Sequence, residues 1–227
     1  MKKYNFYNNL FGWITCAIAC AVFCMTIEPT ASFWDCGEYI ATTYKLMVGH
    51  PPGAPTFQLT GRLFTLFAGN DLKMVSILVN IMSALMSGFT ILFLFWSITA
   101  LARKILIKTR TEEVPLGKIL AIMGAGLVGG LAYTFTDSFW FSAVEGEVYA
   151  TSSFYTAIVF WLILKWDYAV DTDKYANKWI VLCAFLMGLS IGVHLLNLLA
   201  IPAITFVYYF KKYKTTKVGI IKAFLVS

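Results

Sequence analysis

The chain has 227 residues, of which 59% are hydrophobic and 13% are charged. Soluble domains contain about 45–50% apolar and about 25% charged residues, so this composition excludes an ordinary soluble domain and indicates a multi-pass membrane protein. The net charge of +6 does not indicate nucleic-acid binding, because the lysines and arginines cluster beside apolar segments, as they do in cytoplasmic loops.

About six membrane-spanning helices are predicted, and a seventh apolar segment begins in the last residues. The predicted spans cover residues 10–27, 74–100, 119–136, 153–166, 179–193 and 197–210. The last two are the short arms of a hairpin, since basic residues flank both ends of the apolar stretch 179–210. We therefore expect an all-α, polytopic transmembrane helix bundle whose first helix is not cleaved.

The strongest orientation signal is a basic segment after the second span, since Lys and Arg are concentrated in cytoplasmic loops. Its basic residues are Arg103, Lys104, Lys108, Arg110 and Lys118. With this segment inside, the N-terminus is also cytoplasmic. The loop 28–72, the loop 136–152 and the hairpin tip then share the outer face, which is periplasmic in a bacterium and lumenal in a eukaryote.

The outer loop 28–72 contains two carboxylates in a polar and aromatic sequence. Asp35 and Glu38 are three residues apart, which places both on one face of a helix together with Tyr39. Trp34 would hold this helix at the membrane interface, where a carboxylate is partly desolvated, has a raised pKa and suits proton transfer. For the pair alone, the ordinary explanation is favoured, in which Asp35 caps a surface helix and Glu38 is solvated.

Two basic side chains in the same loop are candidates for binding a phosphate. His50 lies in the rigid turn "VGHPPGAPTF", where it would bind a phosphate, orient an acid or cap the preceding helix. Arg62 is one of few cations expected on the outer face. Its guanidinium suits phosphate, although a membrane-anchoring side chain is an equal alternative.

The other outer segments contain four further polar candidates. Glu145 and Glu147 are two residues apart at the start of the fourth span, so a helix would direct only one of them to a site. His194 and Asn197 lie in an apolar hairpin, where a polar group is a functional hypothesis because it needs a partner. The hairpin tip places both at the outer face.

Four motifs in chain order are similar to those of one membrane protein family. "FWDCGEYI", "VGHPPGAPTF", "EGEVY" and "GLSIGVHLLNLLAIPA" resemble a bacterial multi-pass family, formerly of unknown function, that is related to the vertebrate transmembrane protein O-mannosyltransferase. The resemblance covers roughly residues 5–210. It implies a GT-C-like glycosyltransferase fold, with residues 1–227 as the N-terminal part of a longer catalytic domain in a bacterial inner membrane.

The resemblance also implies roles for the candidate residues. Asp35 occupies the position of the catalytic acidic residue in the first outer loop, with Glu38 beside it, and Glu147 occupies a second acidic position with Glu145 as the alternative. The residues expected to bind the donor phosphate are His50, Arg62 and His194. The remaining site candidates are Trp34, Tyr39 and Asn197.

The implied reaction moves a sugar, with inversion, from a polyprenyl-phosphate donor to a hydroxyl of a protein or glycan acceptor at the outer face. No cofactor and no divalent metal is expected, and the partners are membrane lipids, the donor and the acceptor. This chain alone would lack the acceptor-recognition part.

Two other classes of function remain open. In a transporter or lipid flippase, Asp35, Glu147 and His194 would relay protons, although transporter sites usually lie near the membrane midplane rather than at an interface. A non-catalytic assembly module is the other alternative, and it has little use for a rigid turn beside paired acids.

Overall fold

The computed structural model describes residues 2–51, 53–107 and 114–227, and these residues form an all-α bundle without β-strands. The all-α fold is therefore as predicted. The helices are α1 Lys2–Met25, α2 Cys36–Lys45, α3 Pro55–Thr65, α4 Leu72–Leu106, α5 Leu116–Thr134, α6 Asp137–Ala143, α7 Val148–Ala169, α8 Lys178–Ile191, α9 Ile201–Lys212 and α10 Lys217–Val226. Short 3₁₀ turns follow α3 at Leu66–Ala68 and precede α9 at Leu195–Ala200.

Helices α1, α4, α5 and α7 are long and apolar enough to cross a membrane, which makes the chain an integral membrane protein. They contain or overlap the first four predicted spans. At 35 residues, α4 is longer than its predicted span, because the helix continues beyond the apolar residues into polar turns at both ends. Asp71 starts it by accepting from the backbone N–H of Lys73 at 2.9 Å, and Arg103 and Lys104 lie in its last turn, where they complement the helix dipole.

Helix α4 is the centre of the bundle and packs against α1, α5 and α7. Small residues allow the close approach. A Cβ added at Gly126 of α5 would lie 2.7 Å from the Phe95 ring of α4. At Gly88 of α4, an added Cβ would collide with the Cys20 sulfur of α1. Overpacking of this kind costs about 1–3 kcal/mol, so these glycines fix the helix spacing.

Helices α8 and α9 occupy the two segments predicted as hairpin arms, and both pack against α7. At 14 and 12 residues they are shorter than the four long helices. The Trp166 ring of α7 stacks on Tyr208 of α9, with ring centroids 5.2 Å apart. Lys211, near the end of α9, lies 3.7 Å from the Asp167 carboxylate near the end of α7. The connection between α8 and α9 therefore lies at the opposite end of α7.

The bundle has two polar ends with opposite charge. We call the one formed by α2, α3, α6 and the α8–α9 connection (residues 192–200) the acidic end. The other, formed by the start of α1 and the last turns of α4, α7 and α9, is the basic end. Helices α2 and α3 lie in the first outer loop, where interfacial helices were predicted. The apolar face that α3 and its 3₁₀ turn leave exposed consists of Leu59, Leu63, Leu66 and Phe67.

Candidate active site

At the acidic end, His50 joins the two carboxylates of α2. Its Nδ1 lies 2.9 Å from Glu38 Oε2 and its backbone N–H donates to Glu38 Oε1 at 2.6 Å. Its Nε2 is 3.9 Å from Asp35 Oδ2. Asp35 occupies the N-cap position of α2, but its side chain makes no capping hydrogen bond. The Asp35 carboxylate is therefore directed to His50 and to solvent rather than to its own helix.

The turn after α2 directs His50 back onto that helix. Leu46 ends α2 in the left-handed conformation, with φ of 50°. Gly53 also has a positive φ, 74°, and its N–H donates to the carbonyl of His50 at 2.8 Å. A Cβ on Gly49 would lie only 3.1 Å from Glu38 Oε1. Glycine at position 49 thus lets the backbone reach the carboxylate, as a rigid turn requires.

The pKa shifts of His50 and Glu38 both favour the charged form of their contact. Hydrogen bonds from the His50 side chain and backbone hold the pKa of Glu38 below its ordinary value. Hydrogen bonding to Glu38, and then the charges of Glu38 and Asp35, raise the pKa of His50. The expectation of a raised pKa was wrong for Glu38, because this group is half-exposed and accepts hydrogen bonds from the ring and the backbone of His50.

The desolvated acids of the site are Glu145 and Glu147. They are 4% and 6% exposed, and one oxygen of each has no hydrogen-bond partner among the described residues. Burial, followed by the charges of Glu145 and Asp35, raises the pKa of Glu147 to about 7, and nearby His50 opposes this rise. Burial also raises the pKa of Glu145, and hydrogen bonds from Ser32 and Cys36 partly offset it.

Both glutamates point inward because they lie in a tight turn rather than in the helix that the sequence predicted. The backbone N–H of Glu147 donates to the carbonyl of Glu145 at 2.9 Å, and α7 begins only at Val148. Between them, Gly146 lies against α4, where an added Cβ would be 2.9 Å from Asn80 Oδ1. Glu147 lies near Asp35 and His50, whereas Glu145 is hydrogen-bonded to Ser32 and Cys36, so the expectation that only one of the two faces a site stays a prediction.

Aromatic rings form one wall of the site. The Tyr39 ring contacts His50, with centroids 6.0 Å apart, and Phe57 of α3, at 5.4 Å. Burial and the neighbouring carboxylates, Glu147 first among them, raise the pKa of Tyr39 to about 12, so its hydroxyl remains a hydrogen-bond donor. Tyr149, which the sequence analysis overlooked, also lies near Tyr39.

His194 joins this wall through Tyr149, as their ring centroids are 5.6 Å apart. His194 Nδ1 accepts from the backbone N–H of Leu196 at 3.1 Å, which leaves Nε2 to carry the proton of the neutral ring. Asn197 is fully buried and donates to Ser190 Oγ at 2.8 Å. Its Oδ1 has no partner among the described residues. The structure thus gives Asn197 a contact within the hairpin, while His194 faces the site.

Two predicted residues lie apart from the carboxylates. Arg62 Nη1 donates to the carbonyl of Tyr44 at 2.8 Å, and its guanidinium lies over the Tyr44 ring, 5.3 Å from the centroid. It therefore ties α3 to the end of α2. Trp34 is 89% exposed and has a φ of 60°, a conformation unusual for a bulky residue. Its indole is available to a membrane interface but covers none of the acids.

Asn80 and Gln58 are site residues that the sequence analysis missed. Asn80 of α4 donates to the carbonyls of Glu28 and Thr30, at 2.6 and 3.0 Å, and so clamps the start of the first loop. Gln58 of α3 is buried, and its Nε2 has no partner among the described residues. Asn80 had a signal in the sequence, a lone amide in the apolar run "SILVNIMSAL". Gln58 had none that distinguishes it.

Few atoms at this site are available to coordinate a divalent cation. One ligand atom from each of Asp35, Glu38 and His50 lies within 4.8 Å of the others. Both Glu38 oxygens already accept from His50, however, so only Asp35 and the Nε2 of His50 are uncommitted. The sequence also contains an Asp-x-Asp pattern, a common metal-binding arrangement, at Asp171–Asp173. It lies at the basic end, where both carboxylates pair with lysines.

The protein is therefore an integral membrane helix bundle with a polar site at one end. This site contains a buried acid pair beside a carboxylate–histidine pair. Residues 35–217, well over half of the chain, match the Protein O-mannosyl-transferase TMEM260 N-terminal domain. The chain therefore belongs to the TMEM260 N-terminal domain family. This confirms the relation to the vertebrate O-mannosyltransferase that the four motifs predicted.

Two curated relatives have the same family name. The Protein O-mannosyl-transferase tmem260 of Dictyostelium discoideum is 23% identical over 162 residues, which is 71% of this chain and 17% of that protein. The Protein O-mannosyl-transferase TMEM260 of Mus musculus is 27% identical over 176 residues, 77% of this chain and 22% of that protein. The chain thus spans about a fifth of the length of these relatives. No solved structure matches it.

Proposed function

We propose that this chain forms the front part of a GT-C-type membrane glycosyltransferase that moves a mannosyl group from a polyprenyl-phosphate donor to a protein hydroxyl, with inversion. The observation that carries the proposal is the His50 ring between Asp35 and Glu38, close to the buried Glu147. The site combines a carboxylate that can accept a proton with a cation that can face a phosphate. The names of the relatives supply the sugar and the acceptor class.

Asp35 acts as the general base. Its side chain is 53% exposed and is not used to cap α2, so an acceptor hydroxyl has access to it. The acceptor oxygen attacks the anomeric carbon and its proton passes to Asp35. The bond between that carbon and the phosphate oxygen breaks, and the polyprenyl phosphate leaves with the electron pair. General base catalysis of this kind contributes about 10²–10⁴-fold to a rate.

His50 stabilises the leaving phosphate. Glu38 accepts from both the ring and the backbone of His50, which fixes the ring and favours its charged form. A positive charge placed where phosphate charge develops is the usual basis of such stabilisation. Gln58 Nε2 and His194 Nε2 supply further donors at this end, whereas Arg62 contributes by holding α2 against α3.

Glu147 binds the sugar. With a pKa of about 7, a large fraction of it is neutral near neutral pH, and a neutral carboxyl can donate a hydrogen bond to a sugar hydroxyl. The rings of Tyr39 and Tyr149 offer apolar faces for the sugar next to it. We place this end at the outer face of a bacterial inner membrane with the N-terminus in the cytoplasm, because the cations gather at the opposite end. No divalent metal takes part.

The test uses the full-length protein that contains this chain, supplied with polyprenyl-phosphate mannose and an acceptor peptide. We expect Asp35→Asn to lower the transfer rate by about 10²-fold or more. The matched control is Asp137→Asn, an exposed acid at the same end in the first turn of α6, which should transfer at the wild-type rate. Wild-type transfer by a folded Asp35→Asn variant would overturn the assignment of the base.

A further inference from the structure

A cavity of about 700 Å³ lies at the basic end of the bundle, where helices α1, α4 and α7 contribute most of its walls. None of the candidate active-site residues lines it. Its walls combine cationic and amide side chains with aromatic and aliphatic ones. The cavity therefore suits a ligand that has both a charged part and an apolar part.

Positive charge exceeds negative charge around this cavity. Among the described lining residues, the only acid is Asp167, and the cations are Arg103, Lys104, Lys165 and Lys211. Asp167 is already paired, with Lys104 at 2.7 Å and Lys211 at 3.7 Å. Lys211 also pairs with Asp171, at 2.7 Å. The cations still outnumber the acids among these residues, so an anionic ligand would meet net positive charge here.

Lys165 is the cation most available to such a ligand. Its ammonium lies over the rings of Trp161 and Trp179, 5.0 and 5.7 Å from their centroids. No acidic side chain among the described residues forms a salt bridge with it. The rings hold the ammonium in place without neutralising its charge.

The cavity also offers a hydrogen-bond acceptor without a donor. Asn8 Oδ1 is buried and has no partner among the described residues. The indole N–H of Trp96 donates to the backbone carbonyl of Asn8 at 3.3 Å, which fixes this residue against α4. A buried carbonyl oxygen left without a donor is costly, so a hydroxyl-bearing ligand would gain by supplying one.

We propose that this cavity binds the headgroup of an anionic phospholipid of the phosphatidylglycerol class. Its phosphate would pair with Lys165 and a glycerol hydroxyl would donate to Asn8. Helices α1, α4 and α7 are candidate membrane spans, so their ends stand at the level of lipid headgroups. Trp96 and Trp161, with ring centroids 5.3 Å apart, have the amphipathic character that this level favours. Basic pockets between membrane helices are known sites for anionic headgroups.

This proposal does not depend on the glycosyltransferase reaction, because the cavity and the candidate active site lie at opposite ends. Its test is lipid retention by the purified full-length protein, measured by native mass spectrometry with phosphatidylglycerol or phosphatidylcholine. The key variant is Lys165→Gln. The control is Lys178→Gln, which also removes a lysine beside Trp179 but one that pairs with Asp173 and does not line the cavity.

We expect wild type and Lys178→Gln to retain phosphatidylglycerol in preference to phosphatidylcholine, and Lys165→Gln to lose about fivefold of that preference. Equal preference in Lys165→Gln and wild type would overturn the proposal. So would the absence of any preference in wild type, as expected if another segment of the full chain fills the cavity. Displacement of the lipid by inorganic phosphate at equal concentration would make this a site for free phosphate instead.

A second variant separates the hydroxyl contact from the charge contact, and it remains informative if Lys165→Gln fails to fold. Asn8→Ala should weaken retention of phosphatidylglycerol by about threefold, the effect of one hydrogen bond. It should leave phosphatidylmethanol unaffected, since this lipid has the same phosphodiester charge but no hydroxyl. An equal loss for both lipids, or no loss for either, would contradict the assigned hydroxyl contact.

Discussion

The backbone N–H of Thr56 donates to the carbonyl of Gly192 at 2.7 Å, which joins the first turn of α3 to the connection between α8 and α9. These residues are far apart in the sequence, and each begins a segment that carries a site residue. The bond holds α3 against the segment that contains His194, whose ring contacts Tyr149. The contact leaves no space for a larger residue, since a Cβ on Gly192 would collide with the Thr56 side chain.

Gly192→Ala should therefore destabilise the acidic end. We expect a loss of about 1–3 kcal/mol, the usual cost of an overpacked methyl group, with a lower apparent melting temperature in detergent. Gly188→Ala is the control, because an added Cβ at Gly188 of α8 meets nothing within 4 Å. A melting temperature for Gly192→Ala at or above that of Gly188→Ala would show that the segments are not held together here.

Asn80 is expected to hold the first loop in place. In Asn80→Leu, the carbonyls of partly buried Glu28 and exposed Thr30 lose their donor, which we expect to cost about 1 kcal/mol in total because water can reach Thr30. Ser83→Ala, one turn along the same helix, should have little effect, because Ser83 Oγ has no partner among the described residues to lose. The comparison is between apparent melting temperatures, and equal values for the two variants would exclude a clamp at Asn80.

Glu147 should make stability depend on pH. Its pKa is raised to about 7 in the folded protein, above the ordinary value of a solvated glutamate. The folded state therefore binds this proton more tightly, and the stabilisation present at pH 4 is lost as the pH rises through about 7. Glu147→Gln cannot ionise, so it should melt at a higher temperature than wild type at pH 8. At pH 5, only slightly above the ordinary pKa of glutamate, we expect this difference to be much smaller.

Thermal unfolding of wild type and Glu147→Gln at the two pH values measures this effect. The control is Glu38→Gln, since the pKa of Glu38 is shifted in the opposite direction and its loss should not stabilise the protein at pH 8. A pH-independent difference between Glu147→Gln and wild type would mean that Glu147 does not titrate in this range.

The proposed topology has a direct chemical test. Cys36 is fully buried and serves as an unreactive native thiol. Val48 is 95% exposed at the acidic end, and Tyr175 is 69% exposed between α7 and α8, near the basic end. In intact cells, a membrane-impermeant maleimide should label Val48→Cys, but should label Tyr175→Cys only after permeabilisation. The reverse pattern would invert the assigned orientation, and wild type should remain unlabelled in both cases.

The sequence predicted those features that depend on local periodicity. Apolar length located the four long helices, and the three-residue spacing placed Asp35 and Glu38 together at the start of one helix, where Asp35 is the N-cap residue. It did not predict that His50 would pair with Glu38, because that contact depends on the backbone turn at Gly49 and Gly53. Local pattern also placed Glu145 and Glu147 at the start of a helix, although the structure holds both in a turn.

The desolvated site was not predictable from local pattern, since burial is a property of the assembled bundle. Tyr39 of α2 and His50 of the following turn lie near Glu147, and burial in the assembled bundle is the largest cause of its raised pKa, ahead of the charge of its sequence neighbour Glu145. The isolated amide of Asn80 in an apolar run was visible as an anomaly, but its partners in the first loop were not. The sequence thus identified polar residues that meet at the acidic end, whereas their burial and pKa shifts depend on the fold.

The length of α4 has a consequence for the membrane that this protein occupies. Asn80, which anchors the first loop, and Lys104, which pairs with α7, are separated by 24 residues of unbroken helix, or about 36 Å. A hydrocarbon core is about 30 Å thick. The length of helix α4 therefore fixes the distance between the acidic end and the opposite leaflet. A thinner bilayer would force the helix to tilt, so we expect the protein to favour the thicker of two membranes.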